Sequence, residues 1–226
     1  MNAHIHKVRV WDLPTRLFHW ALVACAIGLA ISGTIGGSAM NWHFRFGYSV
    51  FTLLLFRVVW GLVGGRWSRF GAFIYSPASV ISYLKGRSKP EHAVGHSPVG
   101  AGSVFAMLGF LIAQVGTGLL SDDDIAFAGP LTRFVSNASV SLATNYHKNI
   151  GKWILLALVV LHVLAIVFYL WRKHNLVGAM LHGDKELVTA VPPSRDDTGS
   201  RLLALAVFGL CAAAVYWVSS LAAPAF

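Results

Sequence analysis

Charge is scarce in these 226 residues. Lysine, arginine, aspartate and glutamate together make up 12% of the chain, about half the fraction usual in a soluble domain. Acidic side chains are rarer still, nine against eighteen basic ones, for a formal charge of +9. In a soluble protein that balance would point to nucleic acid; with so few charges in all, it reads instead as membrane topology, and no nucleic-acid partner is expected. Cysteine is limited to Cys25 and Cys211, both in apolar segments, with no CxxC and no CxxCH. That excludes a disulfide framework and the usual covalent haem attachment, and leaves iron–sulfur binding without its thiolates. There is no internal repeat, no low-complexity tract and no stretch that reads as a separate soluble domain. The first apolar run lacks a convincing cleavage site, so a retained helix is expected there.

What is present is hydrophobic sequence, 56% of the chain. It falls into five runs, at about 17–35, 48–63, 101–120, 151–171 and 202–221, each long enough to cross a bilayer or nearly so. The second is expected to start earlier, because residues 44–46 are also largely apolar. Asp12–Leu13–Pro14–Thr15 resembles a helix start with proline in its first turn. The loop at 67–99 carries a short amphipathic segment at 78–84 and a basic patch, Lys85, Arg87 and Lys89. The connector at 121–148 opens on Asp122, Asp123 and Asp124 and holds a weaker amphipathic run at 131–135. A turn-prone stretch at 191–200 precedes the last run. The fold class expected is all-α, an integral membrane helical bundle.

Five spans put the termini on opposite sides. With the N-terminus in the cytoplasm and the C-terminus in the periplasm, thirteen of the eighteen lysines and arginines fall inside and four outside, with Arg57 within the second span. That is a clear positive-inside bias. Such a chain belongs in a membrane, among lipids.

The fourth run holds His147 at its entry and His162 deep within. An ionisable residue in hydrocarbon is a functional candidate by default; the plainer reading is a neutral histidine bonded to a neighbouring helix. Neutral imidazole is also a common metal ligand and can bind haem iron axially. The two are fifteen residues apart, about 22 Å of helical rise, so one helix can serve two centres but cannot supply both ligands to either. Topology places His43 and His147 at the outer side and His19 and His162 in the inner half, giving two candidate bis-histidine pairs. One mismatch stands: the nominal depths of His19 and His162 differ by about 10 Å, which tilt, a deeper start to span one or a snorkelling Arg16 could close. Arg57 lies on the face of His43, one layer inward, where a haem propionate would suit it; snorkelling or pairing with carbonyls are the alternatives. Gly33 lies on the face of His19 and could admit a flat macrocycle or simply let helices pack closely. His96, just before span three, could line a ligand cleft, with near-neutral titration suiting proton exchange, or merely cap the helix. His4, His6, His92, His174 and His182 read as ordinary solvated side chains.

Several stretches together resemble the prokaryotic cytochrome b561 family, including the b-type subunits of nickel–iron hydrogenases. They are VRVWDLPTRLFHW around His19, NWHFRFGYSVFTLLLFRVVWGLVGGRWSRF around His43, GHSPVGAGSVFAML, SDDDIAFAGP, and the run from Tyr146 to Gly183. The resemblance implies a four-helix core at 1–183 holding two non-covalent b haems, with His19, His43, His147 and His162 as axial ligands. Residues 184–226 then form a cytoplasmic connector and a fifth, C-terminal transmembrane helix, a feature closer to the hydrogenase-type members. It further implies electron transfer between ubiquinone or menaquinone and a partner, either a periplasmic c-type cytochrome or another redox subunit. Two other functions stay open: a superoxide:quinone oxidoreductase, using Arg45, Lys148 and Lys152 to attract the anion, and a membrane anchor for a larger complex. The three aspartates could dock a positively charged partner, or act only in topology and solubility.

Overall fold

Asp12, Ser76, Ser136 and Asn175 each place a side-chain oxygen where it accepts a backbone N–H three residues on, and helices begin at all four. The structure is a computed structural model and describes residues 5–222. Eight α-helices occur among them: α1 Leu13–Ile35, α2 Met40–Val63, α3 Pro77–Leu84, α4 Pro98–Leu119, α5 Asn137–Asn145, α6 Lys152–Trp171, α7 Leu176–His182 and α8 Thr198–Ser219. A single π-helical turn, Tyr146–Gly151, joins α5 to α6, so Asn137–Trp171 runs on as one 35-residue helical segment. Two short strands, β1 His6–Arg9 and β2 Asp184–Leu187, pair antiparallel with His6 opposite Leu187. Five segments, based on α1, α2, α4, the α5–α6 run and α8, are long and apolar enough to cross a membrane. On α6, Leu156, Val159, Leu161, Leu164, Val167 and Leu170 all face outward, the surface that acyl chains cover in a helix satisfying its own backbone.

The expected elements are there with shifted ends. Span two does start early, at Met40, which sets His43 in the first turn of its helix. The surface helix at 78–84 is α3. Two elements escaped. The connector at 121–148 contains α5, whose polar NASVSLATN carries no hydropathy signal; hydropathy marks where lipid covers a helix and says little about where the helix ends. The strand pair joins residues 175 or more positions apart, which local pattern does not report.

The chain forms two compact units. Unit one comprises residues up to 19, then 57–106 and 160–207; unit two comprises 20–56, 107–159 and 208 onward. Unit one has its apolar centre in Val8, Val10, Trp11, Val94 and Ala179. Beside them the fully buried Asp12 carboxylate accepts from Thr15 N at 2.8 Å, Gly65 N at 3.0 Å, Ser68 Oγ at 3.0 Å and Trp60 Nε1 at 3.3 Å. A buried carboxylate is tolerated only with its lone pairs occupied in this way. Gly65 is needed at that point, since a Cβ there would run into Asp12 Oδ2. The stretch at 191–200 is fastened to the same unit. Ser194 Oγ donates to Val10 O at 2.7 Å, and Asp196 binds Arg9 at 3.1 Å, Arg201 at 3.2 Å and Leu13 N at 3.1 Å. Burial raises the Asp196 pKa, yet the Arg201 bond, the Leu13 N–H and both arginine charges outweigh it and hold the carboxyl below its usual range.

In unit two, Phe56 packs edge-on to Phe208 of α8, with ring centroids 6.0 Å apart. Gly28 of α1 lies under Phe46, leaving no room for a Cβ. The loop after α4 folds on Asp123, whose Oδ1 accepts from Phe127 N at 2.8 Å, Ala126 N at 2.9 Å and Ile125 N at 3.1 Å. These bonds, led by Phe127, lower its pKa. One of the three aspartates therefore spends its charge on its own loop rather than on a partner.

Candidate haem-ligand sites

In unit two, α2 carries His43 and the π-turn carries His147. Their ring centroids lie 6.2 Å apart at an interplanar angle of 85°. The His147 Nδ1 lies 2.9 Å from the Gln114 carbonyl, and the His43 Nδ1 lies 3.2 Å from the Leu29 carbonyl and 3.4 Å from Ser32 Oγ. A carbonyl can only accept, so in both rings Nδ1 bears the proton and Nε2 keeps its lone pair. Gln114 also donates from its amide to the His147 carbonyl at 3.0 Å, tying α4 to the π-turn. Space beside Gly33 is taken by His43: a Cβ at Gly33 would lie 3.1 Å from the His43 ring. The opening expected there for a macrocycle goes to an imidazole instead.

In unit one, His19 of α1 and His162 of α6 lie with ring centroids 6.5 Å apart at 56°. The depth mismatch closes because α1 begins at Leu13, four residues before the apolar run, which puts His19 nearly two turns into the helix. Arg16 plays no snorkelling part; its guanidinium donates to Leu181 O at 2.6 Å. Arg57 is 4% exposed, its carbon 4.7 Å from the centre of the Phe70 ring, and its Nη1 is buried with no hydrogen-bond partner. Neither snorkelling nor pairing with carbonyls accounts for that nitrogen.

His96 sits between the rings of Trp11 and Phe73, at 4.8 Å and 4.5 Å, with its Nδ1 buried and unpartnered. Burial first, and then the positive charges of Arg57 and Lys185, push its pKa down to about 3. The near-neutral titration expected of it is therefore overturned: the imidazole is neutral throughout the physiological range. Lys185 of β2 fixes the turn that presents it, donating to Ala93, Val94 and Gly95 carbonyls at 3.3, 2.7 and 3.3 Å. Burial pulls the Lys185 pKa down to about 8, which leaves it charged at neutral pH. His92 also departs from expectation. It is buried, accepts Lys89 N at 3.2 Å and meets Tyr75 and Tyr83 edge-on. His6, His174 and His182 are exposed, while His4 lies outside the described residues.

The residues that sequence reading passed over are Gln114, the Leu29 carbonyl, Gly118 and Lys185. Gln114 carried a usable signal, being an amide in the middle of an otherwise apolar span. The others act through backbone atoms or at long range and left none.

Compared with known proteins, residues 10–183 match the family profile of prokaryotic cytochrome b561. Among relatives, a protein of Azotobacter vinelandii described as "Probable Ni/Fe-hydrogenase B-type cytochrome subunit" is 28% identical over 213 residues, covering 78% of this chain and 87% of its own length. An Escherichia coli K12 protein, "Probable Ni/Fe-hydrogenase 1 B-type cytochrome subunit", is 24% identical over 208 residues, with 77% and 88% covered. One from Cupriavidus necator, described like the first, is 25% identical over 216 residues, with 79% and 87% covered.

Proposed function

Because the chain belongs to the prokaryotic cytochrome b561 family, we propose that it is a dihaem electron-transfer subunit of the inner membrane, linking the quinone pool to a partner redox protein. The observation that carries this reading is the pairing of four intramembrane histidines, His19 with His162 and His43 with His147, at nearly the same ring separation of 6.5 and 6.2 Å. Two imidazole–metal bonds of about 2 Å, with the half-rings beyond them, span roughly 6 Å. Among the described residues no third histidine, cysteine or carboxylate joins either pair as a metal group. Two imidazoles alone suit a metal whose other ligands would come from a macrocycle. The orphaned Arg57 Nη1 suits a propionate in the same way. The residues fit two b haems.

Haem iron, when bound, supplies one-electron transfer. The chain's own part is to hold it. His19 and His162 would ligate the inner haem, His43 and His147 the outer. Arg57 would pair with an inner propionate, and the apolar helices keep water away, which tunes potential. His96, neutral and with a free Nδ1, suits a hydrogen bond to a quinone headgroup rather than a titrating proton relay. In this reading residues 10–183 are the redox module and α8 a fifth span after it, with the N-terminus cytoplasmic and the C-terminus periplasmic. The relatives named as Ni/Fe-hydrogenase b-type cytochrome subunits support another redox subunit as the partner; a periplasmic c-type cytochrome is the other candidate. Quinol-driven reduction of the purified, haem-replete protein tests the electron-transfer role. The expected result is rapid reduction of both haems by a ubiquinol or menaquinol analogue; haems inert to both quinols would refute it.

A further inference from the structure

The outer histidines share a construction. His147 Nδ1 donates to the carbonyl of Gln114, and His43 Nδ1 to that of Leu29. In a regular helix each of those carbonyls belongs to the N–H four residues on. The residues four on are Gly118 and Gly33, and both are glycine. A Cβ at Gly118 would lie 2.8 Å from His147 Cε1, closer than real Cβ atoms come, and one at Gly33 would lie 3.1 Å from the His43 ring. The glycines are what let a third-party imidazole reach a carbonyl already inside a helix. Around His147 the arrangement is reinforced. The Gln114 amide donates back to the His147 carbonyl in the π-turn, and Gly151, which closes that turn, leaves the space that the Gln114 side chain fills.

We propose that Gly33 and Gly118, with Gln114, are positioning residues that fix both outer imidazoles as Nδ1–H tautomers aimed through Nε2, and thereby hold the outer haem at a lower potential than unclamped imidazoles would. The physical reason is that an Nδ1–H donated to a carbonyl makes the ring a stronger electron donor through Nε2, which favours the oxidised metal. This rests on the dihaem reading. It separates from that reading because it concerns the potential of one haem and not whether haem is present.

The test is a redox titration with low-temperature electron paramagnetic resonance on the haem-replete full chain, for wild type, Gly118→Ala, Gly33→Ala and Gln114→Leu. Haem stoichiometry is measured first. Two haems in wild type with loss of one in His147→Ala would sustain the dihaem reading. No haem in wild type would remove that reading and this inference together. Given two haems, Gly118→Ala should raise the midpoint potential of one haem only and move its low-spin g values. Gly33→Ala should do the same more weakly, and Gln114→Leu, which keeps the carbonyl acceptor, least. If Gly118→Ala fails to assemble, the milder pair still decides. Unchanged potentials and g values in every assembled variant would overturn the proposal, as would an equal shift of both haems.

Discussion

A neutral, buried imidazole makes a prediction of its own. His96 has a pKa of about 3 in the folded protein against an ordinary value of 6.5, so the unfolded chain takes up the proton first as pH falls. Its contribution to stability is complete above pH 6.5 and is lost progressively toward pH 3. The groups that face it, Arg57, Lys185, His19 and His162, all disfavour its charge. The thermal midpoint of wild type should fall relative to that of His96→Phe as pH is lowered from 6.5 toward 3; parallel curves would remove the argument. Arg57 offers a second test at this scale. Its guanidinium is buried with Nη1 unpaired, and a positive charge near a haem raises the potential by disfavouring the oxidised state. Arg57→Gln should therefore keep two haems while lowering the potential of one by some tens of millivolts. A potential unmoved by the change would return Arg57 to a structural role.

Among the elements, the N-terminal end of α1 is held hardest. Asp12 caps the helix and also receives Gly65, Ser68 and Trp60. Removing one partner of such a buried network leaves the others unsatisfied, at a cost of about 3–5 kcal/mol. Asp12→Ala should thus yield little folded protein, seen as aggregation in mild detergent where wild type is monodisperse, while Asp12→Asn should lose less. Equal behaviour of all three would show that the network carries no stability. The helix start at Asp12–Pro14 was legible in the sequence because proline and a capping carboxylate act locally. The five spans were legible because twenty apolar residues have few other destinations. What stayed hidden was α5, polar and short, and the β1–β2 pair, whose partners are far apart in the chain. The 191–200 stretch read as a turn-prone connector; its Ser194 and Asp196 in fact anchor it to Val10, Arg9 and Leu13.

For the whole molecule, charge and histidine placement carried more information than any single motif. Basic residues indicate an orientation, and that orientation sorts four histidines into two pairs. In the structure the rings of those pairs lie 6.5 and 6.2 Å apart, while Gly33 faces an imidazole rather than a macrocycle and His96 loses its near-neutral titration. Those two changes depend on which atoms touch, and hydropathy and spacing do not encode that. The orientation itself is testable: a reporter active only in the periplasm should work when fused after Phe226 and fail at Met1. The reverse result would invert the assignment of inner and outer haems.

The most direct measurement is a reduced-minus-oxidised spectrum of the purified chain with haem quantified per polypeptide, repeated for His147→Ala and His162→Ala. Two b-type haems per chain in wild type, and one in each variant with different spectra remaining, is the result predicted. A wild-type chain without b haem, or both haems surviving either substitution, would contradict the account.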